Sequence, residues 1–383
     1  MTDSNSKSPG WLIAATALGA LGVAATYVKA GQERFWINWI FWLVLLFTVG
    51  MGSLFIVALQ HLVSARWSIP IRRIPERVST LLLPVTPIAL IGLLAVPLLY
   101  PGAQPEARHN KILAGKATWL SLPFFSLRTV LVICAALIGL LVFVRGSLRQ
   151  DKSKDPMFSS RAKRFAPAFM AMFAFSVTIV AFDWIAGLVP EWYSDIFGVY
   201  LFAGSFLSSL SVTILAILYL KSRSRLGEVR RDHLYSLGTF TFAFTVFWSY
   251  IAFAQYMLMW YANLPDEVNW YQERLHGGWH AVTIALAVVH FIVPFFALST
   301  RDAKTNPKKL LRVALIMLSA HMLDVYWLLF PNLSHTPVFS WPEVSFALLF
   351  LGVALLWIRK ALSWGEDMPV GDPFLREGLE FHL

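Results

Sequence analysis

Apolar residues fill this chain in ten long runs separated by short polar segments. One helical crossing of a bilayer needs roughly 20 such residues. The runs fall at about 11–28, 36–62, 79–100, 123–144, 166–188, 196–220, 235–261, 278–299, 310–330 and 341–358. They predict an all-α integral membrane protein with about ten transmembrane helices. A cleaved secretory signal competes only for the first run. Val28-Lys29-Ala30 is a poor cleavage site and Lys7 a thin basic flank, so that run is read as a membrane helix.

Composition supports the pattern: 57% of residues are hydrophobic and 14% charged, outside ordinary soluble usage. A net charge of +10 would suggest nucleic acid in a soluble chain. Here the basic residues lie between apolar runs, so topology explains them and no nucleic-acid partner is expected. With the N-terminus inside, twenty-five Lys and Arg fall in cytoplasmic segments and six in the opposite loops. Lys7 and Arg108 are among those counted, and Arg128 is left inside the fourth run. An excess of positive charge marks the cytoplasmic side, so both termini are predicted there. The opposite loops are short and rich in acids and aromatics, such as Glu191, Trp192, Trp270 and Tyr271. The longer segment 101–122 is expected on the membrane surface. The single cysteine, Cys134, offers no disulfide framework and no CxxC, so no metal or iron–sulfur site is expected.

Two runs carry an aspartate seven residues before a proline: Asp183-Trp-Ile-Ala-Gly-Leu-Val-Pro190 and Asp324-Val-Tyr-Trp-Leu-Leu-Phe-Pro331. An ionisable group at the centre of a membrane helix costs ~2.5–3.5 kcal/mol on insertion scales, which makes it a functional candidate. Both runs cross in the same direction. They suggest a parallel repeat, runs 2–5 against runs 6–9, with runs 1 and 10 peripheral. Chance recurrence of Asp, Trp and Pro near an interface is the plain alternative.

The remaining polar residues in the runs are few. His321 and Asp324 stand at i and i+3, on one helical face. Such a pair can exchange a proton, or it can act as polar glue between helices. Arg128 and Asp183 lie at similar depth on adjacent runs, and their pairing would suit structure or function equally. His290, Tyr250 and His61 extend a candidate proton path through His321 and Asp324, and Asp183, tuned by Arg128, is expected to serve the equivalent route in the first half of the repeat; Gln255, Arg128, His280 and Tyr326 are candidates for binding a quinone or tuning charge. His290 and His321 are the only residues placed like transmembrane haem ligands. A single pair without supporting glycines argues against a b-type haem.

Several ordered stretches carry a family resemblance. They are Ala58-Leu-Gln-His-Leu-Val-Ser-Ala-Arg-Trp-Ser-Ile-Pro-Ile-Arg-Arg-Ile-Pro-Glu76, Pro123-Phe-Phe-Ser-Leu-Arg128, Phe182-Asp-Trp184 and Ile196-Phe-Gly-Val-Tyr200. Then follow Phe247-Trp-Ser-Tyr-Ile-Ala-Phe-Ala-Gln-Tyr-Met-Leu-Met-Trp-Tyr-Ala-Asn-Leu-Pro265, His290-Phe-Ile-Val-Pro-Phe295, His321-Met-Leu-Asp-Val-Tyr-Trp327 and Asp372-Pro-Phe-Leu-Arg-Glu-Gly-Leu-Glu-Phe381. Over about residues 36–383 the chain resembles the NrfD/PsrC-like membrane subunits. Within them it is most similar to the second, ActF-like, quinone-binding subunit of bacterial alternative complex III, a quinol:cytochrome c oxidoreductase.

The resemblance implies a first peripheral helix within 1–35, four-helix bundles over 36–188 and 189–331, and a last peripheral helix and tail over 332–383. It implies the bacterial inner membrane. The implied partners are a paralogous quinol-oxidising subunit, a periplasmic iron–sulfur subunit, multihaem and monohaem c-type cytochromes, small membrane subunits, lipids and a terminal oxidase. Haem and iron–sulfur clusters would sit on those partners. Menaquinol or ubiquinol is the candidate quinol for this chain, which is expected to bind no cofactor covalently and no metal. The family tends to place a histidine where Glu191 stands here, which removes any imidazole-specific role at that point.

Taken together, the expected function is that of a subunit contributing a proton path and a lipid-facing quinol groove, with Gln255 or His321 as hydrogen-bond partner. It is not expected to be catalytic alone. Two other classes fit: an independent secondary transporter, which the scarcity of Gly/Pro breaks argues against, and a passive scaffold.

Overall fold

The structure is a computed structural model that describes residues 9–104, 107, 109 and 111–382. Lys7 and Arg108 lie outside them. Among the described residues ten helices are long and apolar enough to cross a membrane: α1 Gly10–Lys29, α2 Gln32–Leu62, α3 Arg66–Leu99, α4 Leu122–Ser153, α5 Met157–Leu188, α6 Phe197–Ser222, α7 Arg231–Ala262, α8 Trp279–Ala297, α9 Pro307–Asn332 and α10 Trp341–Ala361. No strand occurs among the described residues. The chain is a multi-pass membrane protein.

The observed helices outrun the apolar runs at the basic end. Helix α3 begins at Arg66 rather than 79, α4 continues to Ser153, and α5 starts at Met157 rather than 166. Hydropathy misses these extensions because they are polar; on α3, ion pairing lets the extension fold and bury. Arg73, Glu76 and Arg77 on α3 are almost wholly buried. Arg73 bonds Glu76 at 2.9 Å and also reaches Asp151 at the end of α4, while Arg72 bonds Asp372 at 2.5 Å. Arg77 donates to the carbonyls of Leu362 at 3.1 Å and of Trp364 and Glu366 at 2.6 Å. The C-terminal tail is thereby held across the basic end. His233 is buried at the start of α7 and bonds the Gly378 carbonyl of the tail at 3.0 Å.

Helix α2 is the centre of the molecule. Its most apolar stretch is 94% buried, against 22% for α1 and 17% for α8. It packs on α3, α5, α6, α9 and α10. The α2–α6 crossing is close because small residues face it: Ser205 Oγ donates to the Thr48 carbonyl at 2.6 Å, and Ser209 Oγ to that of Val49 at 2.8 Å. A Cβ on Gly52 would collide with the Ser205 backbone. Small residues and hydroxyls do this work in membranes, where apolar surface alone gives helices no reason to associate. Helices α2 to α5 contact one another in turn, and α6 to α9 do likewise. Helix α1 lies along α10. Arg34, at the start of α2, holds Glu343 of α10 through bonds of 2.9 and 2.6 Å.

Candidate functional site

Asp324 lies on α9 and is 2% exposed. Three helices converge on it. Tyr200 of α6 donates its hydroxyl to Oδ1, and Trp248 of α7 donates Nε1–H to Oδ2 at 3.3 Å. His290 of α8 lies against Trp248, with ring centroids 3.7 Å apart. His290 sits in a π-helical turn, Val288–Ile292. Such wide turns cluster at functional sites, because one extra residue per turn re-aims a side chain.

His321, one turn before Asp324, has its Nε2 2.9 Å from Thr48 Oγ1 of α2. Thr48 gives its own proton to the Leu45 carbonyl at 2.9 Å. With that proton on the Leu45 carbonyl, the contact is met by the tautomer in which Nε2 donates to Thr48 and Nδ1 carries the lone pair. That Nδ1, and both nitrogens of His290, have no hydrogen-bond partner among the described residues although buried. Gly204 of α6 leaves room beside them: a Cβ there would lie 3.0 Å from His321 Nδ1.

Ligand atoms of His290, His321 and Asp324 lie within 4.8 Å of one another. Two imidazoles and a carboxylate are a chemically reasonable set for a divalent metal. Ligands of a tetrahedral zinc at ~2.0–2.1 Å stand only ~3.4 Å apart, so a set spread to that limit would have to close in around the ion. A water with tetrahedral hydrogen bonds of ~2.8 Å separates its partners by ~4.6 Å. The same limit also admits a single bridging water.

An aromatic cap covers this site at the end opposite the tail. Arg274 is fully buried and stacks on Trp270 at 3.4 Å. It donates to the carbonyls of Trp270 at 2.7 Å, Leu328 at 2.9 Å and Trp327 at 3.2 Å, the last two closing the end of α9. Helix ends leave carbonyls without partners, and a cation there satisfies them. Burial lowers the guanidinium to about 9, so it stays charged at neutral pH; burial also pushes neighbouring Tyr271 up to about 12. Below the cap, an aromatic groove of about 560 Å³ opens on the outer face of the helices. Tyr200 and Trp248, the two partners of Asp324, form part of its wall, together with Arg274 and Trp327.

Asp183 is equally buried, in its own π-helical turn, Ala181–Ile185. Arg128 of α4 grips it with Nε at 2.7 Å and Nη2 at 3.0 Å. The guanidinium also bonds the Trp119 carbonyl at 2.9 Å and stacks on Trp119 and Phe124.

The other expected site residues are dispersed. Tyr250 is 64% exposed on the rim of the groove, outside the buried cluster. His61 is buried against Phe143 in the other half, so it does not continue the His290 path. Gln255 is buried and already engaged by Ser194 at 3.2 Å and Tyr271 at 3.1 Å, which leaves it unsuited to a ligand in the groove. His280 is exposed. Tyr326 fastens the following loop through both backbone groups of Val338. The sequence reading missed Tyr200, Trp248, Thr48 and Arg274. The first two stand in stretches that carry the family resemblance. In comparison with known proteins, no family and no curated protein matches the chain.

Proposed function

We propose that this chain is a membrane subunit, without redox cofactors of its own, of a bacterial respiratory quinol:electron-carrier oxidoreductase of the alternative complex III type, and that it conducts protons through its α6–α9 half. In this reading α2–α5 and α6–α9 are two four-helix bundles flanked by α1 and α10. The basic end and both termini face the cytoplasm, and the aromatic cap faces the redox partners. The turn-by-turn helix contacts and the charge asymmetry of the loops support that arrangement.

The observation that carries the proton reading is the company Asp324 keeps. Its neighbours Tyr200, Trp248, His290 and His321 include no fixed cation. A buried carboxylate without a counter-charge is expensive as an anion. His321 Nδ1 offers a lone pair close by, and Tyr200 links the carboxyl to the groove. A proton entering from the groove is handed by Asp324, through one water, to His321 Nδ1 or His290. Onward release of that proton from the imidazole and reprotonation of Asp324 from the groove restore the starting state, so one proton passes per cycle. A menaquinol or ubiquinol headgroup in the groove would meet Tyr200 and Arg274, with Tyr250 at the rim.

Asp324→Asn in the assembled complex tests this. General acid–base groups contribute ~10²–10⁴-fold, so turnover coupled to proton release should fall by about 100-fold with assembly intact. Unchanged turnover and unchanged proton release per electron would overturn the relay.

The π-helical turns at Asp183 and His290 favour a second reading, an independent secondary transporter. They are breaks that glycine and proline counts do not reveal. Purification separates the two: co-elution with c-type haem absorbance supports the subunit, and a stable solitary protein supports the carrier.

A further inference from the structure

Away from the proton site, a second cavity separates the α1–α10 pair from α2, α6 and α9. Near the aromatic end this gap is filled by rings: Phe346 of α10 on Phe35, and Phe350 on Trp39 and Trp42. Towards the basic end it opens into a fissure of about 370 Å³. Trp11, Leu46, Val212, Leu318, Met322 and Leu355 are among the side chains lining it, nearly all apolar. Pro9 and Leu362 lie at its basic end.

The mouth of the fissure has the opposite character. Arg359 lines it and donates to Tyr219 Oη at 3.3 Å. Arg223 lies over the same tyrosine ring at 5.4 Å, and exposed Lys360 follows beside Trp357. At the same end Arg72, Arg73, Arg77 and Arg225 each hold an aspartate or glutamate. Arg223, Arg359 and Lys360 have no carboxylate within ion-pair distance among the described residues.

We infer that this fissure is a binding site for an anionic phospholipid, with one acyl chain between the α1–α10 pair and α6/α9 and the phosphate at Arg359 and Arg223. An apolar slot of this kind takes hydrocarbon, and unpaired cations above it select negative charge. Basic pockets between transmembrane helices recognise anionic headgroups in this way. Tyr219, Trp11 and Trp357 supply the amphipathic rings that settle at headgroup depth. The occupant also has a structural task, since it would close the gap between the peripheral pair and the rest of the protein. The site is independent of the proton reading and stands or falls apart from it.

The test uses the purified protein in whatever complex it is isolated with. Native mass spectrometry follows retained lipid during competition between phosphatidylglycerol and phosphatidylcholine of matched chains. Wild-type protein should retain phosphatidylglycerol with about tenfold preference, given the contribution of each basic residue near a charged headgroup. Arg223→Ala/Arg359→Ala should reduce that preference to about twofold, and Arg359→Lys should keep most of it. Ala216→Phe, which fills the slot and spares the charges, should lower retention of both lipids. Absence of any headgroup preference in the wild type overturns the proposal without recourse to a variant. So does an undiminished preference in the double variant, or a quinone recovered in place of phospholipid.

Discussion

Asp183 and Asp324 stand at matching places in the two halves of the molecule, each seven residues before a proline and each 2% exposed. Their neighbours differ in kind. Asp183 is held by Arg128 through two hydrogen bonds, and that guanidinium is itself stacked on two aromatic rings. The pair sums to no charge and has no proton to spare. Asp324 is held by a phenol and an indole, with two imidazoles within reach. The same residue in the same register therefore has two settings: the first aspartate is locked by a cation, and the second, held without one, is the residue proposed to carry a proton. Arg128 bonds both oxygens of Asp183, so the contrast puts the weight of the proton proposal on Asp324.

The largest effect expected from this contrast is at Arg128. Arg128→Leu leaves Asp183 buried without its cation, and breaking a buried pair from one side costs ~3–5 kcal/mol. The variant should lose most of its folded, membrane-extracted yield, read by fluorescence-detected size exclusion. Adding Asp183→Leu removes the stranded charge and should restore most of that yield, since replacing both partners by apolar groups is often neutral. Asp324→Asn should leave yield unchanged and lose turnover instead. If Arg128→Leu kept its yield and lost only turnover, the contrast would collapse.

Tyr200→Phe probes the second site more finely. It removes the hydroxyl that joins Asp324 to the groove and keeps the ring that packs on Trp248. Hydrogen bonds to charged groups contribute ~1.5–3 kcal/mol, so turnover should fall by about tenfold or more while assembly holds. The pH profile should move as well, because the proton affinity of the site is changed. A fall in yield with an unmoved profile would instead make Tyr200 a packing residue.

How much of this could be read from the sequence follows from the range of the interactions. The ten helices were legible because each is a local apolar run. The shared face of His321 and Asp324 was legible because it is a spacing of three within one helix. Tyr200, Trp248 and Thr48 reach the site from three other helices, and no local period reports which helices meet. The π-helical turns at Asp183 and His290 carry no residue signature, unlike a proline kink. Arg73, Arg77 and Arg274 were read as loop charges because hydropathy assigns every arginine to water. Each is buried by partners that only the fold supplies: acids and tail carbonyls for the first two, helix-end carbonyls and indoles for the third.

The smallest expected effect tests the same rule outside the membrane. Asp367, in the tail, accepts from Arg225 Nε at 2.6 Å and from Arg77 Nη1 at 3.1 Å. Burial alone would raise its carboxyl, but the bonds from Arg225 and Arg77 outweigh it and hold the value below the ordinary 3.8. The folded value is thus depressed, so the anion stabilises the docked tail above the unfolded value. That contribution is lost as the pH falls through the lower, folded one. Limited proteolysis of the tail should accordingly be flat from neutral pH down to about 4 and rise only below it. Asp367→Asn should raise cleavage modestly at neutral pH and remove the acid-dependent step. It should not approach the damage of Arg128→Leu, because Arg77 keeps its carbonyl partners in the tail and Arg225 is partly exposed to water. An equal loss at both places would mean that burial in the membrane adds nothing to the cost of a stranded charge, and the distinction drawn between Asp183 and Asp324 would lose its physical basis.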